Sequence, residues 1–272
     1  MFWSDVLAAV RSSGAVPDDS SLNEIVPGSV FGDREVDAML ARFADLARPL
    51  VLVLDDFHVI GNPTVLTAVA GLLEHRPPRL RLVVVTRADP VLPLHRLRVA
   101  GQLTEVRSHD LAFTGEEAAE LLTGEGFDLS PDQVADLYSR TEGWPAGLRL
   151  AMMSLDRDDL PGSIERVTGS ERAIAEYLFG EVVGRLDPAD REFLLRTSVV
   201  DRLCADLADR LTDRADGQRV IDRLVTSNAL VTSLDEENAW VSYHPMLREL
   251  LRHRLGLEHR VVVRQLHRTV AG

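Results

Sequence analysis

The chain contains no lysine, a single cysteine and few aromatic residues. Its 30 basic residues are all arginines, and with 43 acidic residues they give a formal net charge of −13. Without lysine the chain cannot supply a Schiff-base amine, a lysine general base or the lysine of a phosphate-binding P-loop. The acidic balance also disfavours nucleic acid as the main partner, because phosphate binding needs a net or local basic surface.

Long apolar runs and cysteine pairs are missing as well. No stretch approaches the roughly 18 apolar residues of a transmembrane helix, and the first residues lack the basic and apolar regions of a signal peptide. Cys204 has no partner for an internal disulfide and leaves no cysteine-based metal site. These absences lead us to expect a cytoplasmic protein that does not contact membranes.

Residues 1–110 predict an α/β domain. Two nearly continuous Val/Leu runs, at 49–54 and 80–86, are typical of parallel strands that are buried on both faces. Between them Asn62-Pro63 predicts the start of a helix, with Asn62 as the N-cap. A strand, helix and strand joined by short connections form a β-α-β unit with a right-handed crossover.

The rest of the chain predicts three further regions. Residues 111–186 predict an all-helical domain, in which Gly143-Trp144-Pro145 ends one helix before the next begins. Residues 187–257 predict a winged helix, because three helices precede two short strands that a polar turn joins as a hairpin. Residues 258–272 predict the start of another helical region.

Two strand ends carry charged residues that suit a nucleotide site. Asp55 and Asp56 follow the first strand, where open α/β sheets place their ligand crevice. Such acids can hold magnesium and polarise an attacking water, although aspartates after strands also commonly start loops or cap helices. Arg87 follows the second strand and can reach a terminal phosphate. The alternative for Arg87 is an exposed salt bridge.

Two later motifs have both a functional and a structural interpretation. Trp144 and Pro145 offer apolar surface for a nucleotide base, or form a helix-breaking turn with a core tryptophan. His244 precedes a helix start, where it could touch a phosphate with help from the positive helix end. The alternative for His244 is an ordinary core or surface histidine.

Taken in order, these segments resemble one family. LVLVLDDFHVI, VVVTRADP and TEGWPAGLRLAMMSL closely resemble the signal-transduction ATPases of the STAND class, and within them the MalT-like, large LuxR-type transcription regulators. The resemblance covers residues 2–255. It implies an α/β fold class with a partial P-loop NTPase sheet in residues 1–110, followed by the all-α domain and the winged helix.

The resemblance also implies roles for the motif residues. ATP or ADP with Mg²⁺ would be the cofactors, Asp55 and Asp56 the catalytic Walker B acids, and Asp55 the magnesium ligand. Arg87 corresponds to the sensor arginine and Pro145 to the proline that packs near the adenine, with Trp144 beside it. His244 corresponds to the histidine that touches the phosphates of bound ADP and locks the closed form.

The Walker A loop of this family, Gly-x-x-x-x-Gly-Lys-[Ser/Thr], is missing. The resemblance places it before Phe2, and without lysine no other segment can replace it. We therefore expect a segment truncated before its Walker A loop and after its winged helix, or a degenerate paralogue. The resemblance implies a slow ATPase, whereas this chain alone is expected to bind and hydrolyse ATP poorly.

The leading hypothesis is a nucleotide-switch segment of a STAND-type transcriptional regulator, whose partners are neighbouring domains or copies joined through the NTPase core. One alternative is a non-catalytic protein-interaction module. Another is the regulatory tail of a bacterial serine/threonine kinase that carries the same cassette. No direct DNA contact is expected from the winged helix, because Asp222 accompanies Arg219 and Arg223 on its third helix and its wing is acidic.

Overall fold

The structure, a computed structural model, describes residues 2–17, 20–25, 33–46, 48–227, 229–258 and 260–271. His259 and Gly272, within the last predicted region, lie outside the described residues. The chain divides into two compact units, Met1–Thr104 and Glu105–Gly272, which we call the N-terminal and C-terminal units. The four domain limits drawn from the sequence stay a prediction.

The N-terminal unit contains the expected β-α-β arrangement. Strands β1 and β2 are parallel, with Leu50 opposite Leu80 and Leu54 opposite Val84. The helix between them begins after Asn62, whose Oδ1 accepts hydrogen bonds from the amides of Thr64 and Val65, so the predicted N-cap is confirmed. In chain order its elements are α1 (Phe2–Ser12), α2 (Asp33–Ala44), β1 (Leu50–Leu54), α3 (Pro63–His75), β2 (Leu80–Val84) and α4 (Leu94–Val99).

The prediction that both strands are buried on both faces is wrong. Along β1 buried and exposed residues alternate, and Val51 and Val53 are 58% and 55% exposed. Val83 of β2 and Val85 just after it lie half exposed on the same face. Only the opposite face packs against the core of α1, α2 and α3. We call the four side chains Val51, Val53, Val83 and Val85 the valine face.

The C-terminal unit is helical apart from one short hairpin. Its helices and strands are α5 (Ser108–Leu111), α6 (Gly115–Gly124), α7 (Pro131–Thr141), α8 (Pro145–Ser154), α9 (Leu160–Arg166), α10 (Arg172–Glu181), α11 (Pro188–Thr197), α12 (Ala205–Thr212), α13 (Gly217–Thr226), β3 (Val231–Ser233), β4 (Val241–Tyr243), α14 (Pro245–Glu258) and α15 (Arg260–Ala271). Strands β3 and β4 are antiparallel, and Leu203 adds a bridge to Val241. From α11 to β4 this is the element order of a winged helix.

Capping explains where several of these helices begin. Thr114 and Ser130 form reciprocal capping boxes with Glu117 and Gln133. Helix α9 was not predicted, although its start is capped by Asp159, whose side chain accepts a hydrogen bond from the amide of Gly162. Helix α10 ends at Glu181.

One hydrophobic core runs through the whole C-terminal unit. Leu137 and Leu148 from the helical segment belong to the same buried cluster as Leu224 and Val241 from the winged helix. Helix α14 contributes Met246, Leu247, Leu250, Leu251 and Leu255 to that cluster. Within the described parts of both units, no helix combines the length and apolar character needed to span a membrane.

Candidate functional site

The carboxyl ends of β1 and β2 bring Asp55, Asp56 and Arg87 together. The parallel ladder continues past both strands, because the amide of Val85 donates to the carbonyl of Leu54 at 2.9 Å and that of Phe57 to the carbonyl of Val85 at 3.0 Å. Arg87 Nε consequently lies 4.0 Å from Asp56 Oδ1. The structure thus brings these three predicted site residues together at one sheet edge.

Asp56 is the centre of this edge. Its backbone has φ of +49°, in the left-handed region, and its amide donates to Asp55 Oδ1 at 2.8 Å. His58 Nδ1 lies 3.8 Å from the same Asp56 Oδ1 that faces Arg87. That ring nitrogen is buried and makes no hydrogen bond with a described residue. We call Asp55, Asp56, His58 and Arg87 the strand-end cluster; His58 was missed by the sequence analysis.

The donor set of this cluster fits magnesium only together with a phosphate. Carboxylate oxygens are the ligands that Mg²⁺ prefers, and one or two of them commonly suffice when phosphate oxygens complete the shell. The side chains of Asp55 and Asp56 are exposed and could provide two such ligands. No group of three or more potential metal ligands occurs among the residues that the structure describes.

In the C-terminal unit Trp144 and His244 pack against each other. Trp144 precedes α8 and its ring centroid lies 5.5 Å from that of His244, nearly edge to face, and 5.8 Å from that of Tyr177. Gly147 allows this, because a Cβ there would lie 2.6 Å from the indole atom Cε3. Pro145 begins α8 and is exposed. Both interpretations of the motif therefore have a structural counterpart, a helix break and a partly buried aromatic surface.

Gly143 fixes the turn that presents Trp144. Its φ is +71°, and a Cβ at this position would lie 2.1 Å from the carbonyl oxygen of Phe113. The close approach is held by a hydrogen bond of 2.9 Å from the amide of Phe113 to the carbonyl of Gly143. Only glycine satisfies both requirements without a shift of the main chain.

His244 links the winged helix to the helical segment. Its ring is 7% exposed, and Nε2 lies 2.9 Å from the carbonyl oxygen of Thr141, 103 residues earlier. Because a carbonyl only accepts, Nε2 carries the proton. Nδ1 is buried and has no hydrogen-bond partner among the described residues. The histidine therefore serves as a contact between α7 and the start of α14 in this arrangement.

Burial lowers the pKa of His244 below its usual value of 6.5. The hydrogen bond to the Thr141 carbonyl and the charge of Glu142 oppose this shift. Of the other charged groups nearby, Arg248 lowers the pKa and Glu249 raises it. The neutral imidazole is thus the form that the folded unit favours.

We expect acidification to destabilise the C-terminal unit through His244. As the pH falls, the unfolded chain takes up the proton before the folded chain does, so this contribution is complete above about pH 6.5 and is lost as the pH falls toward the lowered pKa. The melting temperature should therefore drop more between roughly pH 7.5 and 5.5 for the wild type than for His244→Gln. Thermal unfolding followed by circular dichroism measures both.

The matched control is His253→Gln, which removes an exposed imidazole from α14. It should keep the pH-dependent drop of the wild type. An equal drop in all three proteins would contradict the role given to His244.

The winged helix offers little cationic surface on its third helix, α13. Arg223 pairs with Asp190 through two hydrogen bonds, one of them 2.8 Å from Nε to Oδ2. Asp222 accepts a hydrogen bond of 2.9 Å from Gln218. Arg219 is the exposed arginine that remains. The exposed turn between β3 and β4 carries Asp235, Glu236 and Glu237.

Comparison with known proteins gives matches of two kinds. Residues 179–262 match the family model of the MalT winged helix domain. The HTH-type transcriptional regulator MalT of Klebsiella pneumoniae (strain 342) is 32% identical in an alignment of 242 residues that covers 86% of this chain and 26% of that protein. MalT of Cronobacter sakazakii is 32% identical in an alignment of 241 residues that covers 84% of this chain and 26% of its own length. The chain spans about a quarter of the length of these relatives.

Comparison with solved structures gives two alignments, of which the first indicates a similar fold. A Walker-type ATPase of Pyrococcus abyssi aligns with a TM-score of 0.57 and 14% identity, covering 90% of this chain and 75% of that one. A STAND protein with a tetratricopeptide repeat sensor from Pyrococcus horikoshii aligns with a TM-score of 0.35 and 18% identity, over 99% of this chain and 35% of that one.

Proposed function

Because this chain resembles the MalT transcriptional regulators over 86% of its length, we propose that it is the nucleotide-switch segment of a STAND-type, LuxR-related regulator that works in the cytoplasm. The observation that carries the proposal is the strand-end cluster. Asp55 and Asp56, which we propose as the Walker B acids, follow one strand of a parallel pair, and Arg87, after the other strand, lies 4.0 Å from the Asp56 carboxylate. The carboxyl edge of parallel strands is where nucleotides bind in α/β sheets.

Three residues of the strand-end cluster, Asp55, Asp56 and Arg87, have a role in this proposal. Asp55 would hold Mg²⁺, which when bound supplies positive charge to the phosphate oxygens, and Asp56 would polarise the attacking water. Arg87 would sense a terminal phosphate, and its guanidinium lies 4.0 Å from the Asp56 carboxylate. In the C-terminal unit, Trp144 and Pro145 contribute apolar surface for the base, and His244 responds to the phosphates. Nucleotides that favour different contacts would then shift the population between closed and open arrangements.

We expect the chain by itself to bind Mg²⁺-ATP with a dissociation constant weaker than about 1 mM. A P-loop lysine normally holds the β- and γ-phosphates, and this chain has no lysine. Isothermal titration calorimetry with Mg²⁺-ATP and Mg²⁺-ADP measures this directly. A micromolar dissociation constant would contradict the expectation.

The titration needs a variant that removes the carboxylates. If any Mg²⁺-dependent heat is detected, Asp55→Asn/Asp56→Asn should abolish it, whereas Asp5→Asn, which removes an exposed carboxylate on α1, should not. Heat that survives the double substitution would place binding outside the strand-end cluster.

The winged helix acts in this proposal as an intramolecular clamp. Its support is the hydrogen bond from His244 to Thr141 and the core that the winged helix shares with the helical segment. The acidic wing and the pairing of Arg223 with Asp190 disfavour a DNA surface. The pH measurement on His244 tests this contact.

A protein-interaction module is the second candidate function. The exposed valine face favours it, because contiguous apolar surface commonly marks an interaction site. This candidate expects no change in melting temperature with ATP or ADP at any concentration. A nucleotide-dependent increase at millimolar ATP would favour the switch instead.

A further inference from the structure

The turn between β3 and β4, which we call the wing tip (Leu234–Trp240), has a backbone conformation that is fixed by hydrogen bonds. The carboxylate of Asp235 closes it. Oδ1 accepts hydrogen bonds from the amides of Glu237 at 3.1 Å and Ala239 at 2.8 Å, and Oδ2 accepts from the amide of Trp240 at 2.8 Å. A turn held by three such bonds loses little conformational freedom when it binds.

The wing tip presents an apolar pair to solvent. The side chains of Leu234 and Trp240 are 47% and 46% exposed. A backbone hydrogen bond of 2.8 Å from the amide of Leu234 to the carbonyl of Trp240 keeps the two residues opposite each other. An exposed tryptophan on a rigid support is the kind of residue that dominates binding at protein interfaces.

Unpaired negative charge surrounds this apolar pair. Glu236 and Glu237 are exposed, and neither carboxylate forms an ion pair with a described residue. Phosphate-rich partners such as DNA or an anionic membrane would be repelled. The wing tip therefore suits a protein surface that combines arginine or lysine with an apolar strip.

Helix α15 of the same chain supplies the cationic part of that chemistry. Its outward face carries Arg264, His267 and Arg268, all exposed, and neither arginine has an ion pair with the described part of the chain. Although the chain as a whole is strongly acidic, residues 245–271 contain six arginines and two glutamates. The helix is anchored by Leu266, which is 2% exposed, and by a hydrogen bond of 2.9 Å from Arg210 to the carbonyl of Thr269.

We propose that the wing tip of one copy docks on the outward face of α15 of a second copy. Trp240 lies against the arginine side chains, whose guanidinium groups stack on aromatic rings, and Glu236 and Glu237 pair with Arg264 and Arg268. Every chain carries both surfaces, so the contact is heterologous and can repeat. It needs no nucleotide and is independent of the function proposed above.

A charge exchange tests this contact in the full chain. Sedimentation velocity at roughly 100 μM chain and about 50 mM salt should show self-association of the wild type. The wing variant, Glu236→Arg/Glu237→Arg, and the helix variant, Arg264→Glu/Arg268→Glu, should each associate at least about tenfold more weakly. An equimolar mixture of the two variants should recover association, because each then finds an oppositely charged surface on the other.

Matched variants distinguish this contact from non-specific association. Trp240→Ala should weaken association by about tenfold, whereas Met153→Ala, which removes a side chain that is 72% exposed on α8, should not change it. Circular dichroism melts confirm that each variant is folded.

Four results would overturn the proposal: a monomeric wild type, unaltered association of either charge variant, no recovery in the mixture, or association that strengthens with salt. The last of these would instead indicate an apolar contact, such as one through the valine face.

Discussion

Replacing Gly169 with alanine is expected to lower the free energy of unfolding of the C-terminal unit by about 3 kcal/mol. A Cβ at this position would lie 1.7 Å from the carbonyl oxygen of Met246 and 2.9 Å from the amide nitrogen of Leu250. Both atoms belong to the main chain of α14, so no side-chain rotation can relieve the overlap. The loop must move away, and the hydrogen bond of 2.8 Å from the amide of Gly169 to Glu249 is then lost.

Urea unfolding followed by circular dichroism measures this change. The matched control is Gly256→Ala in α14 itself, where a Cβ meets nothing within 4 Å. Alanine stabilises a helix more than glycine does, so the free energy of unfolding of this variant should rise by up to about 1 kcal/mol. Similar stabilities for the two variants would show that α14 does not approach Gly169 as closely as described.

Replacing Arg223 should lower the free energy of unfolding more than replacing its partner Asp190. The carboxylate of Asp190 is 5% exposed, whereas the side chain of Arg223 is 46% exposed. Arg223→Met leaves a buried carboxylate without its counter-charge and should lower the free energy of unfolding by about 2–3 kcal/mol. This is at the low end of the range for breaking a buried ion pair, because water reaches the Arg223 side of the pair. Asp190→Asn leaves an arginine that can turn to solvent, at a cost of about 1 kcal/mol.

The asymmetry is measured with a double-mutant cycle in urea. Asp190→Asn/Arg223→Met should be more stable than Arg223→Met alone, because the double variant has no unpaired buried carboxylate. Arg172→Met is the control, since it breaks an ion pair with Glu176 in which both side chains are exposed, and it should leave the unfolding midpoint unchanged. Equal losses from Arg223→Met and Asp190→Asn would count against the burial described for Asp190.

Local signals were sufficient to predict most helices and strands. Asn62-Pro63, and the capping boxes at Thr114 and Ser130, mark helix starts through bonds that span only two or three residues. The hairpin of the winged helix was predictable for the same reason, since a polar turn separates two apolar runs. Asp55, Asp56 and Arg87 could be placed together because the carboxyl ends of adjacent parallel strands meet at one edge.

Contacts between distant residues could not be predicted in this way. A Val/Leu run does not reveal whether its second face is covered, which is why the exposure of Val51 and Val53 was missed. The bond from His244 to Thr141 joins residues 103 positions apart. His58 faces Asp56 after a left-handed turn of the backbone at Asp56, a conformation that the strand pattern does not indicate.

The hydrophobic core that runs from α6 to α15 also limits where homologues of this chain can recombine during evolution. Side chains of the helical segment and of the winged helix fill the same interior, so substitutions on one side constrain those tolerated on the other. Recombination between homologues near residue 187 would combine core side chains from two proteins that had diverged separately, so they would pack poorly. A crossover near residue 104, where the two compact units meet in the chain, leaves that interior intact. Evolution is thus expected to exchange the C-terminal unit whole, as one module.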